Sequence, residues 1–189
     1  MISTKIEDVI ERFYRGTHPY KICLEEPEEM RLLYETAGLI ENGLIVEIGR
    51  WYGGSLVLLC LGSPSSKVIS IDTCTAYDKP ARKLLNEYSI DKSRYLFVEA
   101  TSQLMTDWNR GPIDLLFIDG CHEEAAVFND LKVWVPRLKK DGLLIMHDIY
   151  CRMKGPKRAI ARYLEENKSL SNIKRAKTSL LMRKILDAK

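Results

Sequence analysis

The chain has 189 residues, of which 46% are hydrophobic and 29% are charged, as is typical of one globular domain rather than a fibrous or disordered protein. No apolar run approaches the roughly 18 residues that span a bilayer, and the charged N-terminal pattern lacks the apolar core of a signal peptide, so we expect a cytoplasmic protein with no membrane partner. The five cysteines include no CxxC pair, which favours reduced thiols over a disulfide framework.

The formal net charge of +3 is unevenly distributed. From Cys151 onward, twelve Lys or Arg residues face three acids, which gives +9; the first 150 residues hold 17 basic and 23 acidic residues, which gives −6. A solvated basic surface accounts for this asymmetry. The alternative is a surface for an anionic partner such as RNA or a phosphorylated substrate.

Two amphipathic helices are predicted ahead of an α/β core. Apolar residues recur at helical spacing over residues 6–15 and 25–40, with a turn-rich segment at 16–21 between them. Asn42-Gly43 is expected to close the second helix. We therefore predict a single domain over residues 1–189, with a helical extension over 1–42 and the α/β core over 43–189.

Short apolar runs then alternate with helical patterns. The predicted strands cover residues 44–49, 67–72, 94–100, 113–120 and 142–149. The predicted helices cover residues 56–62, 81–89, 124–140 and 158–167. Such alternation indicates βαβ units and a parallel sheet with helices on both faces. Residues 172–185 leave no room for a crossover helix, so they predict a closing pair of short strands.

Every predicted core strand ends in or next to a carboxylate. These acids are Glu47, Asp72, Glu99, Asp119 and Asp148. Ligands of open α/β sheets bind beyond the carboxyl ends of the strands, where the strand order switches. An acidic edge at that place suits a cation, a metal ion or hydroxyl groups.

The segment VEIGRWYGGS, residues 46–55, predicts a strand, a tight turn and the start of a helix. Gly49 and Gly53 lack the G-x-G-x-x-G spacing of a dinucleotide site, and no G-K-[ST] follows as in a phosphate loop. Glu47 would also repel a pyrophosphate but suits a ligand with a positive charge and hydroxyls. S-adenosylmethionine is such a ligand, although a turn without any ligand would use the same glycines.

With these motifs the chain resembles class I S-adenosylmethionine-dependent methyltransferases. It is most similar to a small group whose fourth strand reads FIDG-x-H and whose fifth ends in HD, relatives of metal-assisted O-methyltransferases. The resemblance covers Leu44 to Ile149. It implies a Rossmann-like, doubly wound, seven-stranded sheet that is mostly parallel with an antiparallel last strand. It also implies methyl transfer to a hydroxyl of a small molecule.

The resemblance also implies a set of cofactor-binding residues. The glycine loop would hold the methionine half, the acid that ends the second strand would accept bonds from the ribose hydroxyls, and Cys74 would flank the adenine beside Thr73. After the third strand the family often has Gly-Asp-Ser where this chain has Ala100 to Ser102. The expected contacts are Glu47, Gly49, Gly53, Ser55, Asp72, Thr73, Thr101, Ser102 and Asp119.

Asp119 and Asp148 are the candidates for a metal site. Carboxylates that close adjacent strands can converge on a divalent ion such as Mg²⁺, which would lower the pKa of a substrate hydroxyl. Metal-assisted relatives have Asn as a third ligand directly after the second acid, where this chain has Ile149, so His147 or water would complete the shell. Alternatively, Asp119 orients the cofactor and Asp148 caps a turn.

The candidate catalytic residues are His122, Asp119 and His147. His122 lies three residues after Asp119, where the relatives have a Lys base. With an ordinary pKa of about 6.5, a histidine is a competent base at neutral pH. His147 is the second candidate base, and either histidine is alternatively structural.

These residues lead to one function and two alternatives. The first is a methyltransferase with a small-molecule acceptor; the second is an RNA-associated or nucleic-acid-modifying methyltransferase that uses the basic C-terminal face. The third is a catalytically silent module that only binds S-adenosylmethionine. The sequence does not fix the oligomeric state, for which a homodimer is one alternative.

Overall fold

A seven-stranded sheet forms the centre of this computed structural model, which describes residues 5–15 and 26–186. The strands are β1 (Leu44–Ile48), β2 (Lys67–Asp72), β3 (Tyr95–Glu99), β4 (Ile113–Ile118), β5 (Leu138–Met146), β6 (Leu170–Ala176) and β7 (Ser179–Lys184). Their order is β3-β2-β1-β4-β5-β7-β6, with β7 antiparallel to both of its neighbours and the first five strands parallel. The predicted mostly parallel sheet with an antiparallel last strand is confirmed.

Helices cover both faces of the sheet, as predicted. They are α1 (Ile6–Arg15), α2 (Pro27–Ala37), α3 (Gly54–Gly62), α4 (Asp78–Glu87), α5 (Glu124–Trp134) and α6 (Gly155–Glu166). The helices α1 to α4 contribute to one buried apolar cluster and α5 and α6 to the other. In the described part of the chain, we find no helix of the length and apolar character needed to cross a membrane.

The two clusters share β1 because side chains alternate across a strand. Ile45 belongs to the cluster of α1 to α4, and Val46 belongs to the cluster of α5 and α6. Both are fully buried, since a central parallel strand has helices on both sides. The N-terminal helices contribute Phe13 and Met30 to the first cluster, so their packing is continuous with that of the core.

Several element boundaries differ from the predictions. The second helix ends at Ala37 with Gly38 as its C-cap, and Asn42 instead forms a left-handed turn residue just before β1. The helix predicted over 124–140 ends at Trp134, because Pro136 has no N–H to continue the helical bonding. The strand β5 therefore begins at Leu138, earlier than predicted. The predicted turn at 16–21 lies outside the described residues.

Gly49 lies where the chain leaves β1 for α3, between the ends of β2 and β4. The connections from β1 and β4 diverge to opposite sides of the sheet here, which is the topological switch point where α/β ligands bind. The φ angle of Gly49 is +93°, and a Cβ at this position would lie 2.1 Å from the carbonyl oxygen of Asp119. Only glycine permits this close approach of two backbones.

We predict that Gly49→Ala destabilises the protein far more than Gly111→Ala. Gly111 also has a positive φ, +86°, but a Cβ there would meet nothing within 4 Å, so its substitution costs only the left-handed strain of roughly 1–2 kcal/mol. Gly49→Ala adds a clash with backbone that cannot move aside. Urea unfolding of the two variants measures the difference, and equal losses would show that the close approach at Gly49 is not rigid.

Candidate active site

Asp72, at the end of β2, fixes the loop between β1 and α3. One carboxylate oxygen accepts hydrogen bonds from the backbone N–H groups of Arg50 and Trp51, at 2.7 and 3.2 Å. The other oxygen accepts from the N–H of Cys74, at 2.8 Å. Because each carboxylate oxygen can accept more than one hydrogen bond, Asp72 still has acceptor capacity for a ligand.

Arg50 anchors the same loop from below, a role that the sequence did not indicate. Its side chain is almost fully buried and donates to Asp78 Oδ1 at 3.0 and 2.5 Å and to the carbonyl of Ser70 at 2.8 Å. Its guanidinium also lies 4.1 Å from the centroid of the Phe97 ring. The loop is therefore held at both its backbone and its side chain.

Glu47 does not face the cavity, contrary to the orientation expected from the sequence. It is fully buried, and its carboxylate accepts from Ser55 Oγ at 2.6 Å and from Ser70 Oγ at 2.5 Å. These contacts fix Ser55 in the first turn of α3. Glu47 therefore supports the glycine loop from beneath.

Gly53 likewise packs away from the cavity. It is the N-cap of α3 with φ +83°, and a Cβ there would lie 2.9 Å from the Cβ of Ala81 on α4. A branched side chain at this position would therefore strain the backbone and clash with α4. Its clash would therefore be with α4 and not with a ligand in the cavity.

A cavity of about 510 Å³ opens at the carboxyl ends of β1, β2 and β4. Of the predicted cofactor-binding residues, six line it: Gly49, Ser55, Asp72, Thr73, Ser102 and Asp119. Glu47, Gly53 and Thr101 lie outside its lining. The remaining walls include Tyr77, Gln103 and the half-exposed Trp51, whose ring centroid lies 4.5 Å from that of Tyr77. The cavity lining thus combines polar side chains with an aromatic pair at Trp51 and Tyr77.

Asp130, on α5, fixes the end of the cavity formed by Ser102 and Gln103. It is fully buried and accepts from Ser102 Oγ at 2.6 Å and from Gln103 Nε2 at 2.9 Å. Burial raises the pKa of Asp130 to about 6, although these hydrogen bonds oppose the shift. No local sequence pattern marks Asp130, because its partners lie 27 and 28 residues earlier in the chain.

Two aspartates and two histidines meet beside the cavity, and we call them the acid–histidine cluster: Asp119, His122, His147 and Asp148. Of the four, Asp119 lines the cavity itself. The Nε2 atom of His122 lies 3.0 Å from Asp148 Oδ2 and 3.9 Å from Asp119 Oδ1. The Nδ1 atom of the buried His147 lies 3.0 Å from Asp119 Oδ1 and 3.3 Å from Asp148 Oδ2. The structure thus brings together all the residues predicted for catalysis.

Glu29, on α2, extends this cluster and was missed by the sequence analysis. Its Oε1 atom accepts from Thr178 N at 2.9 Å, Thr178 Oγ1 at 2.6 Å and Ser179 Oγ at 3.0 Å. Its Oε2 atom accepts from Glu26 N at 2.8 Å and lies 3.4 Å from His147 Nε2. One buried carboxylate therefore joins α2, the turn between β6 and β7, and His147.

Mutual attraction shifts the pKa values of the cluster. The carboxylates of Asp119 and Asp148 raise the pKa of His122 to about 9. Burial alone would lower the pKa of His147, but hydrogen bonds to Asp119 and to two further carboxylates outweigh it, so the net shift is upward. For Asp148, burial raises the pKa and the two imidazoles lower it, with a net shift downward. Both histidines are therefore cationic at neutral pH.

The cluster fits a divalent metal ion only in part. Ligand atoms of Asp119, His122 and Asp148 lie within 4.8 Å of one another, as a metal site requires. However, His147 already lies between the two carboxylates, and Ile149, at the expected third-ligand position, is a buried apolar residue. Mixed nitrogen and oxygen ligands also suit Mn²⁺ or Zn²⁺ better than Mg²⁺.

The sheet order, the cavity at the switch point and the acid at the end of β2 define a class I S-adenosylmethionine-dependent methyltransferase. The chain belongs to the family described as methyltransferase domain, whose model matches residues 46–149, more than half of the chain.

Two solved structures have the same fold. One is an O-methyltransferase from Bacillus cereus in complex with SAH, with a TM-score of 0.72 and 15% identity, covering 97% of this chain and 91% of that chain. The other is a putative caffeoyl-CoA O-methyltransferase from Staphylococcus aureus, with a TM-score of 0.72 and 17% identity, covering 97% and 93%.

A viral protein is more similar in sequence. The uncharacterized protein R132 of Acanthamoeba polyphaga mimivirus is 32% identical over an alignment of 111 residues, and the match covers 54% of this chain and 50% of that protein. The chain thus spans about half the length of this relative.

We predict that Glu29→Gln makes the fold less stable and less sensitive to acid. Burial alone would raise the pKa of Glu29, but hydrogen bonds from His147 and Thr178 lower it to about 2, against an ordinary value of 4.5. Its charge therefore stabilises the fold fully above pH 4.5, and this stabilisation is lost as the pH falls towards 2. Removing it should cost roughly 2–3 kcal/mol at neutral pH.

Urea unfolding at several pH values measures this effect. Glu35→Gln is the matched control, because Glu35 lies on the same helix but is exposed and forms a long ion pair with Lys174 at 3.7 Å. It should change the stability little at any pH. If both variants had the same acid profile as the wild type, Glu29 would not be a buried anion in solution.

Proposed function

We propose that this protein transfers the methyl group of S-adenosylmethionine to a hydroxyl oxygen of a small molecule. The observation that carries the proposal is a cavity lined by both Asp72 and Asp119, with His122 and His147 beside Asp119. S-adenosylmethionine, when bound, supplies an electrophilic methyl group. The protein then has to bind the cofactor, align the acceptor and remove the proton of its hydroxyl.

Different residues of the cavity lining suit different parts of the cofactor. The N-terminus of α3, with Ser55 in its first turn, suits the carboxylate of the methionine half. Asp72 has acceptor capacity for the ribose hydroxyls, and Ser102 with Gln103 offers polar contacts for the adenine. Several solved structures with this fold are complexes with SAH, among them that of the Bacillus cereus O-methyltransferase, which supports this choice of cofactor.

For the acceptor, we assign proton removal to His122. His147 is 8% exposed and held by carboxylates at both ring nitrogens, so it is poorly placed to reach a substrate. His122 is more exposed, and Asp148 at 3.0 Å stabilises the imidazolium that forms when it accepts a proton. Asp119 contributes to the same stabilisation from 3.9 Å.

A divalent metal ion held by Asp119, His122 and Asp148 is the second candidate for this step. The short distances among their ligand atoms favour it, whereas the position of His147 does not. The two candidates exclude each other at His122, because a metal-bound imidazole nitrogen has no lone pair left for a proton. We derive no further step through a metal.

We predict that Asp72→Asn weakens binding of S-adenosylhomocysteine by roughly 1.5–3 kcal/mol, the range for hydrogen bonds to a charged group. Calorimetric titration measures this affinity. Because Asp72 also holds backbone N–H groups, the titration is repeated with the 2′-deoxy and 3′-deoxy forms of the ligand. If Asp72 binds the ribose, the loss of binding free energy caused by the substitution and the loss caused by the missing hydroxyl should not be additive. Full additivity would place the ribose elsewhere.

We predict that the rate of methylation rises with pH through a value near the His122 pKa of about 9, rather than near neutral as the sequence suggested. Only the neutral imidazole accepts a proton, and the two aspartates stabilise the charged form. His122→Gln should flatten this rise and leave cofactor affinity unchanged. His147→Gln should keep a rise but shift it to higher pH, because it removes a cation from the two aspartates that stabilise protonated His122. An unchanged pH profile in His122→Gln would show that His122 is not the base.

Chelation separates the two candidates for proton removal. We expect activity to survive exhaustive treatment with EDTA, because His147 already compensates the charge of Asp119 and Asp148. Methyl transfer to a panel of hydroxylated acceptors is measured before and after treatment, and again after addition of Mn²⁺ or Mg²⁺. Loss of activity with EDTA and recovery with Mn²⁺ would establish the metal site instead.

A further inference from the structure

Two cations meet over one aromatic ring beside the acid–histidine cluster. Tyr150 lies two residues after Asp148 and is 38% exposed. The Cζ atom of Arg175, on β6, lies 3.7 Å from the centroid of the Tyr150 ring, and the Nζ atom of Lys157, on α6, lies 6.0 Å from it. A guanidinium and an ammonium group therefore both lie close to the Tyr150 ring, two residues after Asp148.

The backbone places both cations next to the reacting groups. A Cβ on Gly155 would lie 2.0 Å from the carbonyl oxygen of His122, so the first turn of α6 packs directly on the backbone of His122. The carbonyl of Thr178 accepts from the N–H groups of Ile149 and Tyr150, at 2.9 and 3.4 Å. The turn after β6 therefore packs on the residues that follow Asp148.

These positive charges are only partly neutralised. Lys177 pairs with Glu28 at 3.4 Å, and Arg158 lies 3.9 Å from Glu124. Four further cations are exposed and have no carboxylate of the described residues within 4.0 Å. We call them the basic patch: Arg152, Lys154, Lys157 and Arg175. Two of these charges lie on the segment between Asp148 and α6, one in the first turn of α6 and one on β6. Like charges placed together in this way favour an anionic ligand of more than one charge.

We propose that the methyl acceptor carries a phosphate or pyrophosphate group, which the basic patch binds while the acceptor hydroxyl lies at His122. This inference rests on the proposed methyl transfer and adds the class of acceptor. Arginine provides a planar fork that matches phosphate oxygens, and lysine provides mobile point charges. Such contacts would hold the acceptor by a group remote from the hydroxyl that reacts.

The charge distribution favours a small phosphorylated molecule over RNA. The first 150 residues carry 17 basic and 23 acidic residues, a net charge of −6. A long polyanion that extended beyond the basic patch would meet this negative charge, whereas a single phosphate or pyrophosphate would not. An RNA partner is therefore an outcome that the experiment must be able to reveal.

The first experiment uses inorganic pyrophosphate as the probe. The protein is saturated with S-adenosylhomocysteine and titrated with pyrophosphate at constant ionic strength. We expect Lys157→Gln with Arg175→Gln to weaken pyrophosphate binding at least tenfold and to leave the affinity for S-adenosylhomocysteine unchanged. Lys168→Gln is the matched control, because it removes a charge beyond the opposite end of α6 and should leave both affinities unchanged.

The outcomes separate this inference from the proposed function. Failure of the wild type to bind S-adenosylhomocysteine would count against the proposed function. Normal binding of that ligand without any pyrophosphate binding, or an equal loss in the Lys168 control, would overturn the phosphate site alone. Tighter binding of a 20-nucleotide RNA, with a steep salt dependence that Lys168→Gln also reduces, would assign the basic surface to RNA instead.

A second experiment tests the acceptor directly. Hydroxylated phosphate compounds are screened for methylation, each beside its own dephosphorylated form. We expect the phosphorylated form to be preferred, and the double variant to raise its KM at least tenfold with little change in kcat, because the patch binds a remote group. Equal methylation of both forms by the wild type would overturn the inference.

Discussion

Three carboxylates, those of Glu29, Asp119 and Asp148, converge at the carboxyl ends of β4 and β5, and they would repel one another unless a cation lay among them. The buried imidazole of His147 meets this requirement, because its two ring nitrogens lie 3.0 to 3.4 Å from oxygens of the three. Its charge offsets the repulsion among carboxylates that come from the ends of β4 and β5 and from α2. The arrangement of the acceptor side depends on this buried cation, since its removal would leave the carboxylates around it less compensated.

On the cofactor side, backbone groups rather than charged side chains fix the geometry. There the chain uses backbone groups: two loops donate N–H groups to Asp72, and Gly49 lets the end of β1 touch the backbone at Asp119. Buried polar side chains such as Glu47 and Asp130 then fix the residues that line the cavity. Side-chain charge dominates one end of the cavity and backbone geometry the other, which suits a pocket that must bind one ligand and activate another.

The sequence predicted the sheet because its signals are local. The apolar runs, the acids that follow them and the absence of space for a last crossover each depend on neighbouring residues, and all appear in the structure. Contacts between distant residues were not predictable in this way. Glu29 lies 149 residues before Thr178, and Arg50 lies 28 residues before Asp78. Nothing in the spacing of an amphipathic helix marks one acid among several as the buried one.

The orientation of Glu47 could have been predicted from strand alternation. Glu47 shares its face of β1 with Ile45, which packs in the cluster of α1 to α4, so its carboxylate lies beneath α3. Its position near the end of the strand does not by itself indicate this orientation. The helix predicted over residues 124–140 is longer than the observed one, which ends at Trp134. The apolar spacing continues past Pro136 although the helix does not.

The contact of Glu29 with Thr178 and His147 has a consequence for how such chains can diverge. These three residues come from α2, the turn after β6 and the end of β5, and two of them lie outside the segment matched by the methyltransferase family. A change at any one leaves a buried charge or donor without its partner. Related chains should therefore keep the three together or replace them together. Residues near the two ends of the chain should thus change in step with a residue of the matched segment.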